Sequence, residues 1–243
     1  MNLDELANAA GTDKGTTHRG GHAYTLVYEP ILSPLREAPL KILELGLAIG
    51  GPEHGIRPDR IVGSPPSIEM WTAYFPNAKL TGFDISDFAN FTHERFDFVR
   101  GDCGVREDLE KLVDQGPFDI IIDDASHASF HQFLSMAVLM PTLKNGGLYI
   151  VEDLQWQPDD YERSLPSVPL FSSVVDTFKT SGTVPDGLPT GVREAFDQVR
   201  SVEIYRTWEL ERRKPIGLIS RAWRFLRIKL AGDPVKLAIL RKG

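Results

Sequence analysis

The chain has 243 residues, 42% of them hydrophobic and 25% charged, with a formal net charge of −7. That length holds one sizeable α/β domain with a real core, or two small ones, and the ordinary composition excludes a disordered or fibrous chain. The acidic balance argues against general nucleic-acid binding. The single cysteine, Cys103, rules out an internal disulfide framework, and the start MNLDEL is acidic where a signal peptide would be basic. With no apolar run approaching about 18 residues, these features predict a cytoplasmic protein.

Taken in order, Leu3 to Ala10 has a helical pattern stopped by Gly11. GTDKGTTHRGGH (Gly11 to His22) is a Gly/Thr-rich loop able to fold over a site, and Ala23 to Arg36 reads as a helix running into Pro39. Leu40 to Leu45 is the first clear strand. It enters GLAIGG, where glycines directly after a strand let the backbone approach a ligand. A Pro/Gly-rich insertion without periodicity covers Pro52 to Pro66, and a helix follows from Ser67 to Phe75 with Ser67 as its expected N-cap. Lys79 to Asp84 is a second strand; an acid at that strand end accepts ribose hydroxyls in a Rossmann-like sheet, so Asp84 is a candidate for that role beside the plainer one of capping its loop. Phe96 to Arg100 is a third strand, and Val105 to Asp114 a helix.

The most informative stretch is FDIIIDDASH, Phe118 to His127. A run rich in β-branched residues is a strand of a parallel sheet buried on both faces, and ligands bind at the carboxyl ends of such strands. Asp123, Asp124 and His127 stand at that end. A helix from about Ser129 to Met140, a turn at Lys144 to Gly147 and a fifth strand, Leu148 to Asp153, bring Glu152 and Asp153 to the next strand end. Adjacent strands lie about 4.8 Å apart. Four carboxylates there would repel, and a hard cation relieves that: Mg²⁺ ahead of Mn²⁺ or Ca²⁺. His127, with an ordinary imidazole pKa, suits a general base; helix capping by Asp123 or Ser126 is the plainer reading of this region.

Beyond Gly191, a helix over Val192 to Arg200 and a terminal hairpin over Ser201 to Arg213 would finish the sheet. Ten of the 27 basic residues but only two of the 34 acids lie from Glu211 onward, which marks 214–243 as a basic, partly amphipathic tail. Four readings of that tail stand side by side: peripheral contact with an anionic membrane, packing on a second subunit of a homo-oligomer, grip on a polymeric glycan, or a solvated helix docked on its own domain. The resulting organisation is an N-terminal helical or lid segment (1–39), a main domain (40–213) and this tail.

These motifs together resemble one family: the metal-dependent, S-adenosylmethionine-dependent O-methyltransferases that act on sugars of macrolide antibiotics, such as those of mycinamicin and tylosin biosynthesis. TDKGTTHRGGHAYTLVYE, KILELGLAIGG, PSIEMWTAYFPNAKLTGFDIS and FDIIIDDASHASFHQFLSMAVLMPTLKNGGLYIVEDLQ are similar to its motifs over roughly 11–213. The resemblance implies a Rossmann-like class I methyltransferase fold, an α/β architecture with a mostly parallel seven-stranded sheet, a terminal antiparallel hairpin and helices on both faces. It implies that Asp124, Glu152 and Asp153 hold the metal, that His127 is the base, and that Glu44, Gly46, Ser67, Asp84, Asp102 and Asp123 surround the cofactor. Asp13, Lys14, His22, Tyr24 and Tyr28 would form the lid or substrate wall. The acceptor would be a hydroxyl of a glycoside, glycolipid or polysaccharide, of the kind found in actinobacterial glycans and natural products. A metal-dependent methyltransferase of catechol-type phenols and a catalytically silent cofactor-binding partner subunit are the alternatives; the TDKG block and the intact acid and histidine set argue against them. Cys103 stands where the family often has glutamine, Pro66 where it has glycine, and the insertion after Gly51 is longer.

Overall fold

In the computed structural model, which describes residues 1–18, 20–48, 50–57, 63–214 and 218–243, the strands are β1 (Lys41–Leu45), β2 (Lys79–Asp84), β3 (Phe96–Arg100), β4 (Phe118–Asp123), β5 (Leu143–Val151), β6 (Val199–Arg206) and β7 (Val235–Lys242). They form one sheet in the order β3-β2-β1-β4-β5-β7-β6, parallel throughout except for β7, which is antiparallel to both its neighbours. The expected mostly parallel seven-stranded sheet is therefore present. Ile49 of the glycine loop and positions 58–62 of the insertion lie outside the described residues.

Strand alternation divides the core. On one face Ile42, Ile120, Ile122, Leu148 and Ile150 pack with Leu3 and Ala7 of α1 (Leu3–Ala10), Tyr24 and Tyr28 of α2 (Thr25–Leu32, with Tyr24 at its start) and Trp71 of α3 (Pro66–Tyr74). On the other, Leu43, Leu45, Ile121, Tyr149 and Val151 meet Leu109 of α4 (Arg106–Glu110), Phe133 of α5 (Ser129–Leu139), Phe171 of α7 (Phe171–Ser181) and Phe196 of α8 (Val192–Phe196). A short helix, α6 (Asp159–Glu162), lies between β5 and α7. Both faces being covered explains why these strands read as continuous apolar runs.

Several boundaries differ from the sequence reading. The second helix is shorter and ends in a 3-10 turn at Ser33–Leu35, and the helix after β3 stops at Glu110 before another at Val113–Gln115. β5 starts at Leu143, because the Lys144 to Gly147 turn signal is absorbed as a register shift opposite Phe118/Ile120. α3 is preceded by Pro65 without a side-chain cap; the Ser67 hydroxyl donates instead to Glu44 Oε2 at 2.8 Å.

The largest correction is at the end of the chain. The expected terminal antiparallel pair is present as β6 and β7, but its second strand is Val235–Lys242 and not the residues directly after β6. The chain becomes helical at Thr207, in α9 (Thr207–Arg213) and α10 (Leu218–Ala231), before returning as β7 between β5 and β6. The division between a main domain ending at 213 and a tail at 214–243 does not hold. VKLAILRK reads as basic, yet its apolar residues are buried on both faces, and the Lys242 ammonium donates to the carbonyls of Met140, Pro141 and Leu143 at 2.7–3.1 Å. Lysines can bury their stems when the charged end finds oxygen partners. Leu240→Ala, at a fully buried β7 position, is expected to lower the unfolding free energy by about 2–5 kcal/mol in urea titrations; a solvated tail would give no measurable change.

Candidate functional site

A cavity of 580 Å³ opens at the carboxyl edge of the sheet, lined by the 11–22 loop, the turns after β1, β2 and β3, and the loops after β4 and β5. Gly46 brings two of these together. Its φ is +82°, and a Cβ there would lie 2.1 Å from the Asp124 carbonyl oxygen, so only glycine lets the β1 turn pass this close to the β4 loop.

The strand pleat decides which acids meet. Residues two apart share a face, and Glu44 on β1 pairs in register with Ile122 on β4, which pairs with Ile150 on β5. Extending β4 and β5 by one such step places Asp124 and Glu152 on the same side as Glu44, that of α1–α3. Between them sits the ammonium of Lys14, 2.5 Å from Asp124 Oδ2, 2.9 Å from Glu152 Oε2 and 3.4 Å from Glu44 Oε1, with only 1% of its side chain exposed. Burial alone would lower the Lys14 pKa; Asp124, Glu152 and Glu44 outweigh it and hold the value well above that of an ordinary lysine. Burial likewise pushes Glu152 up, and Asp124 up to about 7, against the pull of Lys14. One ammonium does not neutralise three carboxylates, and the cluster remains short of positive charge.

Asp123, one residue earlier, faces the other side. It is buried, accepts from the Tyr149 hydroxyl at 3.3 Å and does not line the cavity; burial raises its pKa to about 7. Asp123, expected beside the cofactor, lies outside the cavity lining, because the pleat turns its carboxylate inward.

Asp153 breaks the alternation. Its φ of +51° turns its carboxylate back toward the cavity, 2.7 Å from His22 Nδ1, where it accepts from the Tyr24 hydroxyl at 2.7 Å and Gln155 Nε2 at 2.9 Å. Burial opposes ionisation here, but His22, His127 and Gln155 prevail and hold the Asp153 carboxyl well below the usual carboxylate range. His127 also has a left-handed backbone (φ +60°), packs edge-on against Trp156 and has a buried Nδ1 without a partner among the described residues. Burial depresses its pKa, which leaves a neutral imidazole at pH 7.

Ligand atoms of Asp124, His127 and Asp153 all lie within 4.8 Å of one another. Two carboxylates beside a cluster lacking positive charge form an oxygen donor set that fits a hard divalent cation, with the unpartnered His127 nitrogen next to it. Glu152, expected as a third acid ligand, is instead held by Lys14 and by the Tyr28 hydroxyl at 2.7 Å. Tyr24 and Tyr28, expected in a lid or substrate wall, are buried beneath the acids, whereas Asp13, Lys14 and His22 line the cavity.

At the other end of the cavity Asp84 accepts from the backbone N–H groups of Leu47 and Ser86, at 2.8 and 2.7 Å, and Asp102 from that of Gly104 at 2.7 Å. Gly46, Ser67, Asp84 and Asp102 line it; Glu44 lies behind Ser67. The sequence reading missed Trp156, Tyr161 and His54 as cavity walls. His54 and Trp156 stack at 4.9 Å with planes 11° apart, a pairing across 102 positions with no local signature beyond an aromatic placed shortly after the Glu152-Asp153 pair.

No family model matches the chain. Among curated proteins it is 37% identical over 134 residues to the 8-demethyl-8-(2-methoxy-alpha-L-rhamnosyl)-tetracenomycin-C 3'-O-methyltransferase of Streptomyces olivaceus, covering 55% of this chain and 32% of that protein. It is 34% identical over 167 residues to the mycinamicin VI 2''-O-methyltransferase of Micromonospora griseorubida, covering 65% and 40%. The chain thus spans a third to two-fifths of the length of these relatives. Among solved structures, the MycE methyltransferase of the mycinamycin biosynthetic pathway, in complex with Mg, SAH and mycinamycin VI, superposes over 100% of this chain and 55% of its own with a TM-score of 0.65 and 25% identity. Over the matched residues the chain is similar to these O-methyltransferases, and its fold is that of a class I S-adenosylmethionine methyltransferase.

Removing the Lys14 charge leaves buried carboxylates uncompensated. Lys14→Met is expected to cost about 3–5 kcal/mol of stability in urea unfolding with EDTA present, and less when Mg²⁺ is added. An equal loss in both conditions would mean that no divalent cation takes up the cluster's charge.

Proposed function

We propose that the protein is an S-adenosylmethionine- and Mg²⁺-dependent O-methyltransferase acting on a sugar hydroxyl of a glycoside. The observation that carries this reading is the convergence of Asp124, Asp153 and the unpartnered imidazole of His127 at one end of a single cavity, with the glycine turn, Ser67 and Asp84 at the other. Relatives that methylate rhamnosyl and mycinamicin sugars support the acceptor class.

S-adenosylmethionine, when bound, supplies the methyl group and its own sulfonium leaving group, so the protein has to orient the acceptor and take its proton. Asp84 and Asp102 stand at the strand ends where ribose and base are held in this fold. Gly46 keeps the turn low enough for close approach. Asp124 and Asp153 would hold the cation, with Glu152 as the third acid once Lys14 releases it; the cation supplies positive charge that eases ionisation of the acceptor hydroxyl. His127, kept neutral by burial, receives the acceptor proton at Nδ1. Asp153, held ionised by His22, stabilises the imidazolium that results. Trp156 and His54 close the wall beside His127 and limit water.

Mixed with rhamnosylated or macrolide glycosides, S-adenosylmethionine and Mg²⁺, the protein is expected to add the mass of one methyl group, and EDTA is expected to abolish the gain. His127→Asn should lower turnover by about 10²–10⁴-fold while calorimetry still detects S-adenosylmethionine binding. Unchanged turnover in that variant would remove His127 as the base, and failure of the wild type to bind S-adenosylmethionine would remove the enzyme reading.

A further inference from the structure

The helical excursion between β6 and β7 is not needed to close the sheet. β5 and β6 are the antiparallel partners on β7's two edges, so β6 runs parallel to β5, and Arg206 at its end pairs with Val235 at the start of β7. That pairing lies at the carboxyl edge. The connection carrying α9 and α10 therefore leaves the sheet on the side where the cavity opens.

α10 is joined to the body through α9: the Phe225 ring meets Trp208 at 4.9 Å, and Arg213 Nη1 donates to the Leu26 carbonyl of α2. The opposite stripe has no cover among the described residues. Trp223, Leu226 and Leu230, at i, i+3 and i+7, fall within about 60° of one another on a helix and are 70%, 49% and 81% exposed. Apolar side chains exposed in one continuous stripe call for an occupant. The helix sequence contains Arg221, Arg224, Arg227 and Lys229 and no acid, in a chain whose net charge is −7; Arg213 and Lys214 before it are paired with Glu209 and Glu211.

We infer that α10 lies in the surface of an anionic lipid bilayer. Two such helices face to face would set cation against cation, and three side chains are far fewer than the roughly 20–30 residues per partner that a stable protein interface uses. An anionic bilayer meets both demands: the headgroups take the arginines and lysines, and the aromatic and leucine side chains enter the acyl boundary. No helix among the described residues is long and apolar enough to cross a membrane, so the contact is peripheral. It brings the carboxyl edge of the sheet to the lipid. If the sugar O-methyltransferase reading holds, the glycoside that suits this geometry is one whose aglycone is anchored in the bilayer, a glycolipid.

The test is sedimentation of the full chain with phosphatidylcholine vesicles that contain or lack phosphatidylglycerol. The wild type is expected to pellet with the anionic vesicles alone and to be released as salt rises. The variant Trp223→Ser/Leu226→Ser/Leu230→Ser should lose about tenfold or more in partition coefficient while keeping its melting temperature. A wild type that stays in the supernatant, or a triple variant that pellets equally well, overturns the proposal. So does a wild-type dimer in sedimentation velocity that the triple variant dissolves, which would assign the stripe to a second copy. Methylation of soluble and vesicle-borne glycosides is read separately: loss of both refutes the enzymatic reading and leaves the vesicle result standing.

Discussion

Everything at the carboxyl edge of this sheet is arranged around one buried ammonium. Lys14 reaches the ends of three adjacent strands, β1, β4 and β5, through Glu44, Asp124 and Glu152. Without a positive charge at that point the three carboxylates could not be buried together in ionised form. The N-terminal segment is therefore part of the core structure. It supplies Lys14 and the two hydroxyls, Tyr24 and Tyr28, that saturate Asp153 and Glu152 from below. Its docking is reinforced by Leu3 and Ala7 packed in the same cluster as Trp71.

The second constraint is the pleat. Four acids at two strand ends look equivalent in one dimension, but they take different environments because neighbouring residues face opposite sides. Asp123 is turned into the interior against Tyr149, and Asp124 and Glu152 toward Lys14, with Asp124 at the cavity wall; the left-handed backbone of Asp153 returns a second carboxylate to the cavity beside it. Positive φ at Asp153 and at His127 occurs where two side chains must be aimed at one place. Non-glycine residues adopt that conformation when the surroundings fix it, and the Tyr24 hydroxyl does so here by bonding both the Asp153 carboxylate and its N–H.

Much of this was legible in the sequence. β2 and β3 have the boundaries that their apolar runs predict, and the glycine turn, Asp84, Asp124 and His127 fall at the strand ends expected of them. What was not legible depends on distance or on a misleading local signal. The pairing of Lys14 with Asp124 spans 110 positions, and nothing in TDKG distinguishes a lysine that covers a site from one buried under it. The wall formed by His54 and Trp156 has the same origin. β7 was hidden by its own lysines, whose charge reads as solvent exposure until the carbonyls that receive Lys242 are seen. The α9 segment shows the reverse error: alternation in YRTWEL suggests a strand, whereas Thr207 and Trp208 are tied by Pro234 and Asp233 into a helix start.

The position of β7 has a consequence for how the protein comes into being. Residues 235–242 are inserted between two strands made earlier, β5 and β6, which have no pairing with one another. Until residue 242 has left the ribosome, the β5 edge that β7 will cover carries unpaired backbone groups along the apolar run Leu148 to Val151, the kind of edge that recruits foreign strands. Completion of the sheet necessarily follows the synthesis of both strands that flank β7. A chain stalled or clipped before β7 would be an aggregation hazard with its Lys14 pocket already encoded, and cellular quality control would meet it as an open sheet.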